Sequence, residues 1–180
     1  MTINETVFDV VHGLAQKFYS DSKVLPAQTD FMPLTASLCF TVLDVNLAIP
    51  IEELSEVHQL PDYTRLPGVK PWMIGVANIR GKLVPIIDFA KFLGGELSLA
   101  SSARRVLVIE LQGSFIGILV ESVAGVRHFD AEHYCDDPTE IASLLAPYTQ
   151  GCFIDDGGKE NYLFKPSQLA EDKSFQDVAV

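Results

Sequence analysis

The chain has 180 residues, enough for one domain or two small packed ones, and its 48% hydrophobic content is ordinary for a folded protein. Its 24 acidic and 13 basic residues give a formal net charge of −11, which repels phosphate backbones and argues against nucleic acid as a partner. The three cysteines, Cys39, Cys135 and Cys152, form no CxxC pair, which argues against a disulfide framework or a thiolate zinc site.

The first 36 residues are predicted to form an extension ahead of the main domain. A capping box, Thr2-Ile3-Asn4-Glu5, and helical spacing over residues 4–20 predict a short amphipathic helix. Its apolar face comprises Val7, Val11, Leu14 and Phe18. Residues 24–33 carry two prolines and predict an extended linker. The start has no basic region followed by an apolar one, and no apolar run is long enough to span a bilayer. We therefore expect a cytoplasmic protein with reduced thiols and no direct membrane insertion.

Short β-rich runs begin after residue 36. Five strands are predicted in the first half: Leu38–Leu43, Leu47–Ile51, Glu56–Leu60, Ile74–Ile79 and Leu83–Ile87. The last two flank Arg80-Gly81-Lys82, which predicts a β-hairpin because Gly81 can adopt the positive φ of a tight turn. Asp88 is predicted to cap a short helix over Phe89–Leu93.

The second half repeats this order. Its predicted strands are Arg105–Leu111, Phe115–Glu121, Val123–Phe129, Cys152–Asp155 and Asn161–Lys165. Pro166 then suits the first turn of a closing helix over Ser167–Glu171. The repeated order predicts two small packed β-barrels, over residues 37–95 and 104–173, with a tail over residues 174–180.

Two acidic segments are candidate ligand sites. Residues 132–137 crowd together metal-capable side chains: Glu132, His133, Cys135, Asp136 and Asp137. They lack the paired spacing of a zinc site or a calcium loop, so the pattern favours a surface loop. The sequence Asp155-Asp156-Gly157-Gly158 could surround a cation, but two glycines between apolar runs are better explained as a turn. We expect no metal and no cofactor.

A group of basic residues stands out in this acidic chain. Arg65, Lys70, Arg80, Lys82 and Lys91 lie between positions 63 and 91, against the single acid Asp88. They could form a solvated rim or a docking surface, and charge alone does not separate these interpretations. Upstream, strand alternation places Leu54 and Glu56 on one face, which is usual for an amphipathic strand.

The chain resembles the CheW family, the coupling proteins of bacterial chemosensory arrays. The resemblance covers residues 38–172. Three motifs carry it: Leu66-Pro67-Gly68, Gly75-Val76-Ala77-Asn78-Ile79-Arg80-Gly81, and Val84-Pro85-Ile86-Ile87-Asp88. A further run, Phe115 to Val123, looks like the family's GxxVDxV element with Glu121 in place of the usual Asp.

The resemblance implies two SH3-like five-stranded barrels and no catalytic activity. It implies a bridging role between the cytoplasmic tip of a methyl-accepting chemoreceptor and the regulatory domain of a CheA-type histidine kinase. By matching positions, it assigns partner contacts to Leu54, Glu56, Gly75, Arg80 and Gly81. The long N-terminal extension looks like the PilI branch, which serves type IV pili and twitching motility, and implies recruitment to membrane-associated receptor arrays.

A second hypothesis is also compatible with the sequence. The chain could be a small enzyme or a ligand- or metal-binding barrel that uses the loop from Glu132 to Asp137.

Overall fold

A computed structural model describes residues 35–98, 102–111, 113–136, 141 and 143–179. The chain divides into a unit of residues 1–32 and a unit of residues 33–180, and the described residues belong to the second unit. The predicted N-terminal helix and linker lie outside the described residues.

The described residues are mostly β-strands, as predicted. The strands are β1 (Thr35–Val42), β2 (Val45–Pro50), β3 (Leu54–Gln59), β4 (Tyr63–Thr64), β5 (Met73–Ile79), β6 (Lys82–Asp88), β7 (Arg105–Leu111), β8 (Ser114–Val120), β9 (Ser122–Phe129), β10 (Tyr134–Cys135), β11 (Thr149–Ile154) and β12 (Glu160–Phe164). Short α-helices follow some of them: α1 (Phe89–Phe92), α2 (Pro166–Glu171) and α3 (Lys173–Gln176). Three 3-10 turns cover Ile51–Glu53, Ala131–His133 and Ala146–Tyr148.

The strands form two six-stranded sheets, each with five longer strands and one two-residue strand. One sheet has the order β10-β11-β12-β2-β1-β9, and the other has the order β3-β7-β8-β6-β5-β4. Each sheet therefore takes strands from both halves of the chain. Two parallel pairings join the halves, β2 with β12 and β6 with β8.

This exchange corrects the predicted division into residues 37–95 and 104–173. Strands β1 and β2 lie with β9 to β12, whereas β7 and β8 lie in the sheet of β3 to β6. Local hairpins such as β5–β6 can be read from turn residues, but parallel neighbours are joined by long connections that leave no local signal.

The core packs on both faces of strand β1. Leu38 and Phe40 point into a large apolar cluster, and Cys39 points into a small one on the opposite face. The large cluster contains residues of both sheets, such as Phe40 and Ile86, and of α1. The Phe164 ring lies 5.9 Å from the Phe40 ring and 5.4 Å from the Phe89 ring of α1. Burial raises the pKa of the Cys39 thiol.

Helix α1 begins as the sequence predicts. The Asp88 Oδ1 atom accepts a hydrogen bond of 3.0 Å from the Lys91 N–H, the arrangement of an N-cap. The Asp88 side chain is buried, and this burial raises the pKa of its carboxyl group.

Candidate functional site: the β5–β6 turn and strand β3

The turn between β5 and β6 consists of two residues, Arg80 and Gly81, and the flanking Ile79 and Lys82 are paired. Both turn residues have positive φ, 49° for Arg80 and 82° for Gly81, which is the pattern of a type I′ hairpin turn. The Asn78 Oδ1 atom accepts a 2.8 Å hydrogen bond from the Gly81 N–H. The predicted hairpin is confirmed.

Arg80 adopts a backbone conformation that is uncommon for its residue type. Left-handed backbone is cheapest for Gly, followed by Asn and Asp, and it costs other residues about 1 to 2 kcal/mol. The Arg80 side chain is 74% exposed, so core packing does not explain its presence at this position. Strained backbone at an exposed residue is a pattern that favours a functional side chain.

One carboxylate on strand β3 holds the Arg80 guanidinium in place. The Glu56 Oε2 atom lies 3.2 Å from Arg80 Nε and 2.7 Å from His58 Nε2. The side chain of Glu56 is 24% exposed, so this oxygen is partly shielded from water. The contact connects strand β3, at one edge of its sheet, with a turn near the other edge.

The same turn carries an apolar side chain that the sequence interpretation missed. Leu83 is 75% exposed, more than any other large hydrophobic residue among those described. Beside it, Lys82 Nζ lies 3.6 Å from the centroid of the Phe115 ring, a cation–π contact that orients the lysine over strand β8. No sequence pattern marks this exposure, because residues 83–87 are all apolar. In the structure Val84 is buried and Leu83 is exposed.

We call Glu56, Arg80 and Leu83 the turn surface. It combines an arginine with free hydrogen-bonding capacity, an exposed leucine and a carboxylate that fixes the arginine. Arginine beside an exposed apolar side chain is a composition typical of protein interfaces. Gly81 belongs to this surface through the turn that it shares with Arg80.

Gly75 has a different place, inside strand β5. It is buried and has a φ of 152°. A Cβ atom at this position would lie 2.4 Å from the Thr64 carbonyl oxygen and 2.8 Å from the Tyr63 ring. Gly75 therefore allows strand β4 to approach strand β5 closely, and its local role is to position that strand.

Leu54 lines a separate groove with a volume of 460 Å³. The apolar wall of the groove includes Leu111 and Pro166, and four acidic residues surround it: Glu52, Glu53, Glu110 and Glu171. Lys165 Nζ lies 3.5 Å from the Glu53 carboxylate. Of the five residues expected at a partner surface, the structure brings Glu56, Arg80 and Gly81 together, while Leu54 and Gly75 occupy other surroundings.

In the second acidic segment, Asp155 has structural partners within the turn and on strand β9. The Asp155 Oδ1 atom accepts hydrogen bonds from the Gly157 and Lys159 N–H groups, and Oδ2 lies 2.7 Å from Arg127 Nη1. These contacts lower the pKa of the Asp155 carboxyl group. They also support the interpretation of residues 155–158 as a turn. In the described part of the chain, no three His, Cys, Asp or Glu side chains are grouped so that they could hold a metal ion.

Glu121 proves to be a structural residue that the sequence interpretation did not identify. Its side chain is buried, and Oε1 accepts hydrogen bonds from Leu43 N–H at 3.2 Å and Ser98 N–H at 3.1 Å. Because these three positions are far apart in the chain, no local pattern reveals the contact.

The signature of the CheW-like domain matches residues 36–174 of the chain. The chain belongs to the CheW-like domain family. It is 36% identical to the protein PilI of Pseudomonas aeruginosa over 176 residues, which cover 98% of each chain. It is 25% identical to the chemotaxis protein CheW of Thermotoga maritima over 126 residues, or 70% of this chain and 82% of that protein.

A solved member of the CheW family has the same fold. The crystal structure of the scaffolding protein TtCheW from Thermoanaerobacter tengcongensis superimposes with a TM-score of 0.69 and 22% identity, and it covers 79% of this chain and 96% of that one. The predicted family and the SH3-like barrel fold are confirmed. Among the described residues, none of the helices is long and apolar enough to cross a membrane.

Proposed function

We propose that this CheW-like protein is a non-catalytic adaptor that couples a methyl-accepting chemoreceptor to a CheA-type histidine kinase. It connects the cytoplasmic tip of the receptor with the regulatory domain of the kinase, in the cytoplasm, at membrane-associated receptor arrays. The 36% identity to PilI, which extends over nearly the whole of both chains, supports a chemosensory system that controls twitching by type IV pili.

The observation that carries the proposal is the turn surface. Arg80 is held by Glu56 at 3.2 Å while most of its side chain stays exposed, so its outward N–H groups can donate to a partner. A pre-oriented guanidinium loses little conformational freedom on binding, and its planar fork can make paired hydrogen bonds to a carboxylate or to backbone carbonyls. Leu83 supplies apolar area next to it.

The positions that the family resemblance assigns to partner contacts have two roles in this proposal. Glu56, Arg80 and Gly81 form the contact itself. Gly75 acts indirectly, because it sets the position of strand β4, and Leu54 contributes the apolar wall of a second contact in the acidic groove. Two separate surfaces fit an adaptor that must bind two proteins at once.

The experiment is a reconstitution of kinase phosphorylation with the full chain, the cognate kinase and a cognate receptor fragment. The proposal predicts that receptor-dependent stimulation requires this protein and is lost with Arg80→Glu, while circular dichroism shows an unchanged fold. Kinase output that is the same with and without the protein contradicts the proposed function. If stimulation is unchanged with Arg80→Glu, the protein is still an adaptor, but the turn surface is not the surface through which it acts.

A further inference from the structure

The basic residues between positions 63 and 91 separate into two groups in the fold. Arg80 and Lys82 lie at the turn end of the β5–β6 hairpin. The other three, Arg65, Lys70 and Lys91, line a cavity of 270 Å³ near the opposite end, where β5 begins. We call this cavity the basic pocket.

The basic pocket combines positive charge with apolar walls. Tyr63, Leu66 and Met73 contribute to its lining, and Leu66 is 41% exposed. The described residues that line it include three cations and no acid. The chain as a whole has a net charge of −11 and repels anionic partners. The basic pocket is therefore a local surface that can attract an anionic partner.

The cations of the pocket have unequal partners. Lys70 Nζ lies 2.9 Å from Asp177 Oδ2. Lys91 Nζ lies 3.9 Å from Asp88 Oδ2, whose carboxylate is nearly buried and caps helix α1. Arg65 is exposed and, within the described part of the chain, has no carboxylate at ion-pair distance. Arg65 and Lys91 therefore keep hydrogen-bonding capacity that faces solvent.

The C-terminal segment of the chain shows how an extended segment with one carboxylate contacts two residues that line this pocket, Val69 and Lys70. The Lys70 N–H donates a 2.9 Å hydrogen bond to the Val178 carbonyl, and Val69 forms an antiparallel bridge with Ala179. The segment is thus extended at residues 178–179 and places the carboxylate of Asp177 on Lys70. Backbone pairing together with a carboxylate–cation contact is a general mode of recognition for extended peptides.

We propose that the basic pocket is a docking site for an extended acidic segment of a partner protein, whose carboxylates pair with Arg65 and Lys91. Arg65 offers a planar fork for bidentate pairing, and Lys91 offers a point charge. The proposal does not depend on the kinase or the receptor, since it concerns a surface at the other end of the hairpin from Arg80.

The test uses the full chain and two short fluorescent peptides, one in which Glu alternates with Val and one with Gln in place of each Glu. Fluorescence anisotropy is measured for the wild type, for Arg65→Gln, for the double variant Arg65→Glu with Lys91→Glu, and for Lys159→Glu. Lys159→Glu is the control variant, because Lys159 is exposed in the β11–β12 turn and does not line the basic pocket. It makes the net charge more negative without changing the pocket. Vesicles that contain phosphatidylserine serve as a second probe.

The proposal predicts that the Glu peptide binds and the Gln peptide does not. Arg65→Gln weakens binding about fivefold and the double variant by more than about tenfold, whereas Lys159→Glu changes it less than about twofold. Three results would overturn it: no binding of the Glu peptide, equal binding of both peptides, or equal losses in the pocket variants and the control. Binding of the vesicles without binding of the peptide would assign the pocket to a membrane surface and would also overturn it.

Discussion

Glu56 Oε2 lies 3.2 Å from Arg80 Nε and 2.7 Å from His58 Nε2, so a single carboxylate oxygen holds two side chains at the rim of one sheet. Arg80 is mostly exposed and its φ is 49°. Arg80 therefore has two opposing effects on the free energy of unfolding of the protein. Its ion pair with Glu56 stabilises the fold by at most about 1 kcal/mol at such an exposed site, and its left-handed backbone destabilises the fold by about as much.

We therefore expect Arg80→Asn to leave the free energy of unfolding unchanged or to raise it by up to about 1 kcal/mol, because Asn-Gly is a favoured type I′ turn. The free energy of unfolding is measured by urea denaturation, with circular dichroism as the signal. Arg80→Val is the matched control and should destabilise the protein by about 1 kcal/mol or more, since a β-branched residue fits left-handed backbone poorly. A larger loss with Asn than with Val would show that Arg80 is primarily a structural residue.

Gly75 and Gly81 form a pair that separates backbone strain from steric contact. Both have positive φ, but an added Cβ at Gly81 meets no atom within 4 Å, whereas at Gly75 it lies 2.4 Å from the Thr64 carbonyl oxygen. Gly81→Ala should cost about 1 kcal/mol. Gly75→Ala should cost at least about 2 kcal/mol more, because strand β4 must move. Thermal unfolding of the two variants measures both losses of stability. Equal losses would show that strand β4 can move away from Gly75 at little cost.

Buried Glu121 ties together three distant positions of the chain. Its Oε1 atom accepts hydrogen bonds from the Leu43 and Ser98 N–H groups. Glu121→Ala leaves both donors without this acceptor and should lower the free energy of unfolding by about 3 kcal/mol. Glu121→Gln keeps an acceptor oxygen and should cost about 1 kcal/mol. Equal, small losses in both variants would mean that water replaces the carboxylate.

The stability of the fold should depend on pH through Asp88. Burial raises the pKa of this carboxyl group above its ordinary value of 3.8. Between the two values the native state holds more protons than the unfolded state, so stability falls as pH rises through this window and stays lower above it. Asp88→Asn keeps the helix cap and removes the titration.

Relative to the wild type, Asp88→Asn should therefore gain stability as pH rises from below 3.8 to neutral. Denaturant unfolding over a pH series measures the difference. Asp88→Ala serves as the reference for cap loss, at about 1 kcal/mol. A difference that is independent of pH would contradict the raised pKa.

Local patterns were sufficient for the hairpin, the Asp88 cap and most strand positions. Gly81 marks the turn, and Asp88 after an apolar run marks the start of helix α1. The partners of strands were not predictable, since alternation specifies which face is buried but not which strand lies beside it. This limit explains why the exchange of β1 and β2 with β7 and β8 between the sheets was missed.

The same limit applies to the site. Glu56 is visible in the sequence as part of an amphipathic strand and Arg80 as part of a polar turn, but their contact joins elements that are not neighbours in the strand order. The left-handed backbone of Arg80 had no sequence signal, because arginine is not a residue type that marks such turns. The separation of the five basic residues into two groups likewise requires the position of β4 beside β5.

The adaptor proposal rests most directly on Arg80 as a partner contact. The decisive measurement is a titration of the wild type, Arg80→Asn and Lys159→Asn against the cognate kinase regulatory domain and, separately, a cognate receptor fragment. Both substitutions remove one positive charge, but only the first alters the turn surface. Circular dichroism of each variant confirms that the fold is retained.

For at least one of the two partners, we expect Arg80→Asn to weaken binding by at least about 2 kcal/mol, or roughly thirtyfold, because the desolvated group that Arg80 contacts loses its donors. Lys159→Asn should change the affinity less than about twofold. Unchanged affinity of Arg80→Asn for both partners, or equal losses in the two variants, would contradict the assignment of Arg80 to the coupling surface.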